Sequence, residues 1–423
     1  MSANLVTVSF VVALLGSTAL RLWLNHRQLQ HVALHRNNVP TAFATTVSLA
    51  AHQKAAAYTL AKGQFQLFSL LVGGMLIVAW TLLGGLQLLT QGIGAGVAPS
   101  AWAGYGQGLA LLGGFALISA LLDLPLEAAQ TFRLEARFGF NRTSWGLWLG
   151  DHFKGLLVTL VLGLPLAWAV LALMRHAGSL WWVWAWGLWL AFSLTMMVLL
   201  PLVIAPLFNR FTPLTDATLK ARIEGLFQRV GLSTSGLFVM DAGRRSAHSN
   251  AYFTGLGHAK RVVLFDTLLD RLTAEETEAV LAHELGHFKL RHVPKRLVSM
   301  AIISLVGFGL LGWLSEQPAF YLGLGVHPNW MGGHEALALL LFLLVLPTLT
   351  FPLTPLMAWA SRRHEFEADA FACQHANGRA LVSALLKLHE DNASTLTPDP
   401  LVARWTYSHP PAAERIPAIE AQL

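Results

Sequence analysis

Apolar residues gather into seven stretches of this chain, at 4–24, 65–89, 104–122, 155–174, 180–204, 297–314 and 336–358. Each reaches, or nearly reaches, the ~20 residues that a helix needs to cross about 30 Å of hydrocarbon. The longest polar interval separates the fifth stretch from the sixth, and there the pattern changes. Residues 216–231 follow an amphipathic helical period, 236–241 alternate like a strand, and 250–254 with 261–265 read as a hairpin around Gly255, Leu256 and Gly257. Thr273 followed by Glu276 forms a capping box and opens another helix. The pattern predicts a mainly α, polytopic membrane protein carrying a small α+β domain. The expected division is a membrane region at 1–204 with five spans, a polar domain at 205–296, spans six and seven at 297–360, and a C-terminal segment at 361–423.

Composition agrees. Of 423 residues, 54% are hydrophobic and 12% charged, against the ~25% charged residues of soluble domains. The 15 tryptophans suit a chain that crosses membrane–water interfaces, and Trp181–Trp189 reads as an interfacial belt running into a helix. The single cysteine, Cys373, rules out an intrachain disulfide and a thiolate metal cage. The net charge of +6 does not point to nucleic acid, because the basic residues sort by membrane side. Residues 25–64 carry Arg27, Arg36, Lys54 and Lys62, and residues 123–154 carry Arg133, Arg137, Arg142 and Lys154. Residues 90–103 carry no charge, and 315–335 carry Glu316 and Glu335 without lysine or arginine. The positive-inside rule therefore predicts an external N-terminus, with the 205–296 domain and the C-terminal segment both cytoplasmic.

The chemistry lies in LAHELGHFKL at 281–290. His283 and His287 are four residues apart, so a helix stacks their imidazoles on one face within reach of one metal ion. Glu284 stands close enough to take a proton from a water polarised by that metal. This is the pattern of zinc-dependent peptide hydrolysis, with one Zn2+ expected per chain. A further ligand is needed. The metzincin continuation fails, because Leu290 and Val293 stand where glycine and histidine belong and His292 is one position off. The best candidate for a third ligand is Glu365 in SRRHEFEADAFA at 361–372, with Asp369 four residues on to bond the distal nitrogen of a ligand histidine. Glu367 faces away from that pair. The same segment also reads as a solvated juxtamembrane charge run.

PLFNRFTPL at 206–214, SAHSNAYFTGLGHAKRVVLFDTLL at 246–269, HELGH, SRRHEFEAD and YSHPPAAERI at 407–416 together carry a family resemblance, as does GFNRTS at 139–144. Their order and spacing resemble the type I CAAX prenyl proteases, membrane-embedded zinc metalloendopeptidases that trim prenylated C-terminal tails. The resemblance covers nearly the whole chain. It implies seven helices around a water-filled chamber, closed by the zinc domain. It also implies His283, His287 and Glu365 as zinc ligands and Glu284 as general base. His409 would be the donor to the oxyanion, and Asn250 and Ala251 would lie on an edge strand that pairs with substrate. Arg415 would brace the site or bind a substrate carbonyl. The expected partners are the lipid bilayer and a peptide or protein substrate, prenylated or otherwise membrane-associated.

Two other readings stand beside this one. A heat-shock type of membrane zinc protease shares the zinc motifs but has a shorter chain with fewer spans. A metal-regulated transporter would carry ionisable groups deep in its spans, whereas here they sit at span ends, as with Arg21, Asp123 and Glu335. GIGAGVAP at 92–99 reads as an external loop rather than a nucleotide site, and His26, His31 and His35 read as the polar face of an interfacial helix. Short external loops, and an ending Glu420-Ala421-Gln422-Leu423 that is no ER-retrieval signal, give the expectation of a bacterial inner membrane.

Overall fold

A computed structural model describes residues 1–96, 103–234, 236–254, 261–328 and 334–423. Helices α1 (Ala3–His35) and α2 (Leu49–Trp80) open on serine caps, whose hydroxyls accept the amides of Leu5 and Ala51. The chain turns after Trp80 and enters α3 (Gly85–Gly96). The run expected as one span at 65–89 is thus two helices. Apolar residues continue through the turn, so hydrophobicity does not mark it; Gly84, with φ +81°, and the crowded Gly85 do. Residues 92–96 also prolong α3 rather than form the expected loop, and 97–99 lie outside the described residues.

Helix α4 (Ala103–Ala129) passes into a π-helical turn at Gln130–Glu135. Next come α5 (Trp145–His176) and, across Gly178 with φ +65°, α6 (Trp181–Leu199). A second π-helical turn, Leu200–Ile204, leads into α7 (Ala205–Phe208). After the extramembrane domain come α11 (His292–Ser315), α12 (Pro318–Gly323), α13 (His334–Thr350) and α14 (Thr354–His375). Among the described residues, 7 helical stretches are long and apolar enough to cross a membrane. The last runs from His334 to His375, so it does not end near 358; its lower half carries the charged segment expected in the tail.

The domain between the fifth and sixth membrane-spanning stretches is built on a four-stranded sheet, β1 (Phe211–Pro213), β2 (Gly236–Met240), β3 (Ala251–Thr254) and β4 (Arg261–Phe265), in the order β1-β2-β4-β3. β2 and β4 run parallel; the outer strands pair antiparallel. Strand β1, absent from the sequence-based expectation, contains Pro213 and is tolerated because it is an edge, where a missing amide costs little. The turn between β3 and β4 lies outside the described residues. Around the sheet lie α8 (Ala217–Arg229), the short α9 (Asp266–Leu269), α10 (Ala274–Lys289), α15 (Gly378–Asp391), α16 (Pro400–Thr406) and α17 (Ala412–Glu420). Ile223 and Leu226 of α8, Leu264 of β4, Leu281 and Leu285 of α10 and Leu381 of α15 share one core, each side chain contributing roughly 1.5–3 kcal/mol by leaving water.

Helix α10 is clamped at its start. Thr273 and Glu276 complete the capping box, while Ser383 and Lys387 of α15 also bond the Glu276 carboxylate, at 2.6 and 2.7 Å. Burial opposes the charge of Glu276, but these donors outweigh it and hold its pKa down to about 2. A lowered carboxyl pKa contributes stability that is present above the unfolded value, near 4.5, and lost as pH falls towards 2. Thermal unfolding of detergent-solubilised protein should therefore show an acid limb over that window, flattened in Glu276→Gln. Identical pH dependence in the two proteins would contradict the clamp.

Candidate metal centre

The site forms where α10 crosses α14. A Cβ on Gly286 would stand 3.1 Å from Ala368 Cα and 3.1 Å from Phe371 Cβ, so a larger residue here would press α14 away by a few tenths of an ångström. That approach brings the helical face of His283 and His287 against Glu365. His283 Nε2 lies 3.2 Å from His287 Nε2 and 3.5 Å from Glu365 Oε2, and His287 Nε2 lies 3.3 Å from Glu365 Oε1. Four ligands at about 2.0–2.1 Å from a tetrahedral zinc ion stand about 3.3 Å apart, so the three side chains already have the spacing of a metal site.

Proton accounting leads to the same conclusion. Asp369 is 1% exposed and accepts from His283 Nδ1 at 2.8 Å, which turns the Nε2 lone pair into the site. Glu365 Oε2 is buried without a hydrogen-bond partner. With His283 neutral, its Nε2 and the two Glu365 oxygens are acceptors that face one another across the site. Burial disfavours charge on His283, but its hydrogen bonds to Asp369 and Glu365 prevail and raise its pKa to about 9. The pocket favours a cation at that point. The residues present therefore fit a divalent metal.

Arg415, from α17, is buried and donates through Nε and Nη2 to the two oxygens of Asp369, with Nη1 3.7 Å from Glu365 Oε2. Its donors are committed to holding the carboxylates. Glu284 follows His283 on α10, is half-buried, and has no side-chain hydrogen bond among the described residues. On the open side stands His409, with its side chain 66% exposed and Nε2 3.4 Å from Glu365 Oε1. Its loop is tied down by Arg362 of α14, which donates to the carbonyls of Ala403, Arg404 and Tyr407 at 3.1, 3.0 and 3.0 Å. The segment read as a solvated charge run is thus a structural joint.

Strand β3 is the outer strand beside α10. Phe265 N donates to Asn250 O at 3.1 Å, so by antiparallel alternation the amide and carbonyl of Ala251 point away from β4. The Ala251 amide is met there by its neighbour's side chain, Asn250 Oδ1, at 2.8 Å. All nine residues singled out in the sequence therefore lie at this crossing or on the strand next to it. Sequence reasoning missed Gly286, although a glycine inside a helix between two candidate ligands was a visible signal. It also set aside His292 and Glu367, which the structure brings to the back of His287.

Comparison with known proteins points the same way. Residues 28–210 match the family model described as CAAX prenyl protease N-terminal, five membrane helices, and residues 213–423 match Peptidase family M48. The chain is 36% identical over 317 residues to CAAX prenyl protease 1 homolog of Oryza sativa subsp. japonica, covering 74% of this chain and 73% of that one. It is 31% identical to the Homo sapiens CAAX prenyl protease 1 homolog over 463 residues, covering 97% and 95%. The crystal structure of S. mikatae Ste24p superposes with a TM-score of 0.91 at 30% identity over 99% of both chains.

Replacing Gly286 by alanine should push α14 off α10, destabilising the fold by about 1–3 kcal/mol. Metal retention against a chelator should fall with it. Wild-type retention in Gly286→Ala would show that this approach does not set the site.

Proposed function

This chain belongs to peptidase family M48, among the CAAX prenyl proteases, and from that premise we propose that it is a zinc metalloendopeptidase acting on the C-terminal tails of prenylated proteins. It is an integral, multi-pass membrane protein. The convergence of His283, His287 and Glu365 at ligand spacing carries the metal assignment. Their two nitrogens and one carboxylate are a donor set that zinc accepts, leaving a coordination position for chemistry. When bound, the metal acts as a Lewis acid that polarises the scissile carbonyl and the attacking water.

The remaining steps fall to side chains. Glu284, with a free carboxylate next to a ligand, takes the proton of the attacking water and passes it to the leaving amine. His409, exposed and adjacent to Glu365, donates to the oxygen on which charge develops. Arg415 braces Asp369 and Glu365; its burial supports this over a direct substrate contact. Asp369 fixes the His283 tautomer. Substrate lies along β3 as an added strand, bonded to the outward main chain of Ala251, which fits an enzyme that needs backbone recognition more than side-chain pockets.

Substrate access fits the membrane setting. Six of the seven spans bury between 0 and 17% of their most apolar window, so the rest of the chain leaves most of that surface uncovered. That supports a hollow arrangement in which a lipidated tail reaches the site from inside the membrane region. The charge distribution supports an external N-terminus with the 205–296 domain and the 361–423 segment cytoplasmic. Short external loops favour a bacterial inner membrane. The heat-shock type of protease fits less well, because the likeness to CAAX prenyl proteases runs the length of the chain.

Purified protein should cleave a farnesylated CAAX peptide, stop when a chelator removes the metal, and recover with zinc. Glu284→Gln should keep its metal and lose about 10²–10⁴-fold in rate. A metal-loaded Glu284→Gln protein that still hydrolyses the peptide at the wild-type rate would overturn the general-base role.

A further inference from the structure

Two ligand histidines need two partners for their distal nitrogens, and the structure supplies them differently. His283 has a carboxylate, Asp369. His287 turns its Nδ1 to another histidine, His292, whose Nδ1 is 3.0 Å away. The Nε2 of His292 is 3.0 Å from Glu367 Oε2, and Glu367 Oε1 accepts from Arg363 Nε at 3.1 Å. Glu367 thus does face away from the ligand pair, as its place on α14 implied, but only to reach the back of the second ligand.

The protons along this row have one consistent arrangement. Glu367, ionised beside Arg363, can only accept, so His292 Nε2 carries a hydrogen. His292 is 4% exposed, and its Nδ1 stands 3.0 Å from His287 Nδ1, so one of these two nitrogens donates to the other. With His287 Nδ1 as the donor, the lone pair of His287 Nε2 faces His283 and Glu365, as a metal ligand requires. We propose that His292, backed by Glu367, is a positioning residue that fixes the tautomer and ring plane of His287 for the metal. This rests on the reading of His283, His287 and Glu365 as the metal site.

A second observation supports the assignment. Helix α10 ends at Lys289, and α11 opens at His292 only because Arg291 adopts a left-handed conformation, φ +58°. That conformation is strained for a non-glycine residue and persists where the surroundings require it. Here it turns the chain so that the first residue of a membrane helix points back at a ligand five positions earlier.

The rival use of the same atoms is a second metal site, since His292, His364 and Glu367 also offer ligand atoms within 4.8 Å of one another. The rings of His292 and His364 are stacked, with centroids 4.1 Å apart and planes 10° apart. Lone pairs in parallel planes run side by side rather than converge, and the His292 Nε2 proton is already given to Glu367. The geometry favours the positioning role.

The test compares His292→Leu, which has no acceptor, with His292→Asn, whose amide oxygen can stand in for Nδ1, in full-length protein in detergent. Zinc affinity is read by chelator competition and metal per chain, and thermal unfolding is read on the metal-free proteins. His292→Leu should lose 10–100-fold in zinc affinity, the scale of losing such a partner, and His292→Asn should regain most of it at a similar metal-free unfolding temperature. Glu367→Ala, on a half-exposed surface, should weaken zinc affinity without changing metal-free unfolding. Equal zinc affinities for the Leu and Asn variants, unchanged affinity in Glu367→Ala, or a second equivalent of zinc lost on changing His292 would each overturn the proposal. Absence of zinc from the wild-type chain would instead refute the metal site on which it rests.

Discussion

The close crossing of α10 and α14 is the constraint on which the rest depends. A glycine at 286, set against Ala368 and Phe371, removes the side chain that would hold the helices apart. With His283 neutral, the same crossing gathers buried acceptors that face one another across the site. Such a cluster is costly unless a positive charge sits in it. Asp369, Arg415 and Arg362 all serve this arrangement. Two of them hold the carboxylates and imidazoles in place, and the third ties the loop of His409 to the helix that bears Glu365.

The crossing also joins two parts of the chain far apart in sequence. His283 and His287 come from a compact domain with its own sheet and core. Glu365 and Asp369 come from the extension of the seventh membrane helix. A peptidase centre built in this way is placed at the end of a membrane span by its own ligand set. The outer strand β3 lies beside that centre, and the spans leave most of their apolar surface uncovered by the rest of the chain.

Much of this was legible in the residues. Long apolar runs are their own evidence for spans, because hydrocarbon permits few alternatives, and His283, His287, Glu365 and Asp369 announce themselves by helical spacing. The strands at 236–240, 251–254 and 261–265 follow the alternation closely. What the sequence hid has physical reasons. A turn inside a continuous apolar run, at Gly84, leaves the hydropathy unchanged. The strand at 211–213 contains a proline that only an edge position excuses. The partnership of His292 with His287 depends on a left-handed arginine, which spacing rules for a continuous helix do not anticipate.

The most direct test of the central claim is the X-ray absorption spectrum of zinc in the intact, membrane-solubilised protein. Two imidazole nitrogens together with carboxylate and water oxygens in the first shell, altered in Glu365→Gln, are the predicted result. Sulfur in that shell, or a spectrum indifferent to the change at Glu365, would contradict the account.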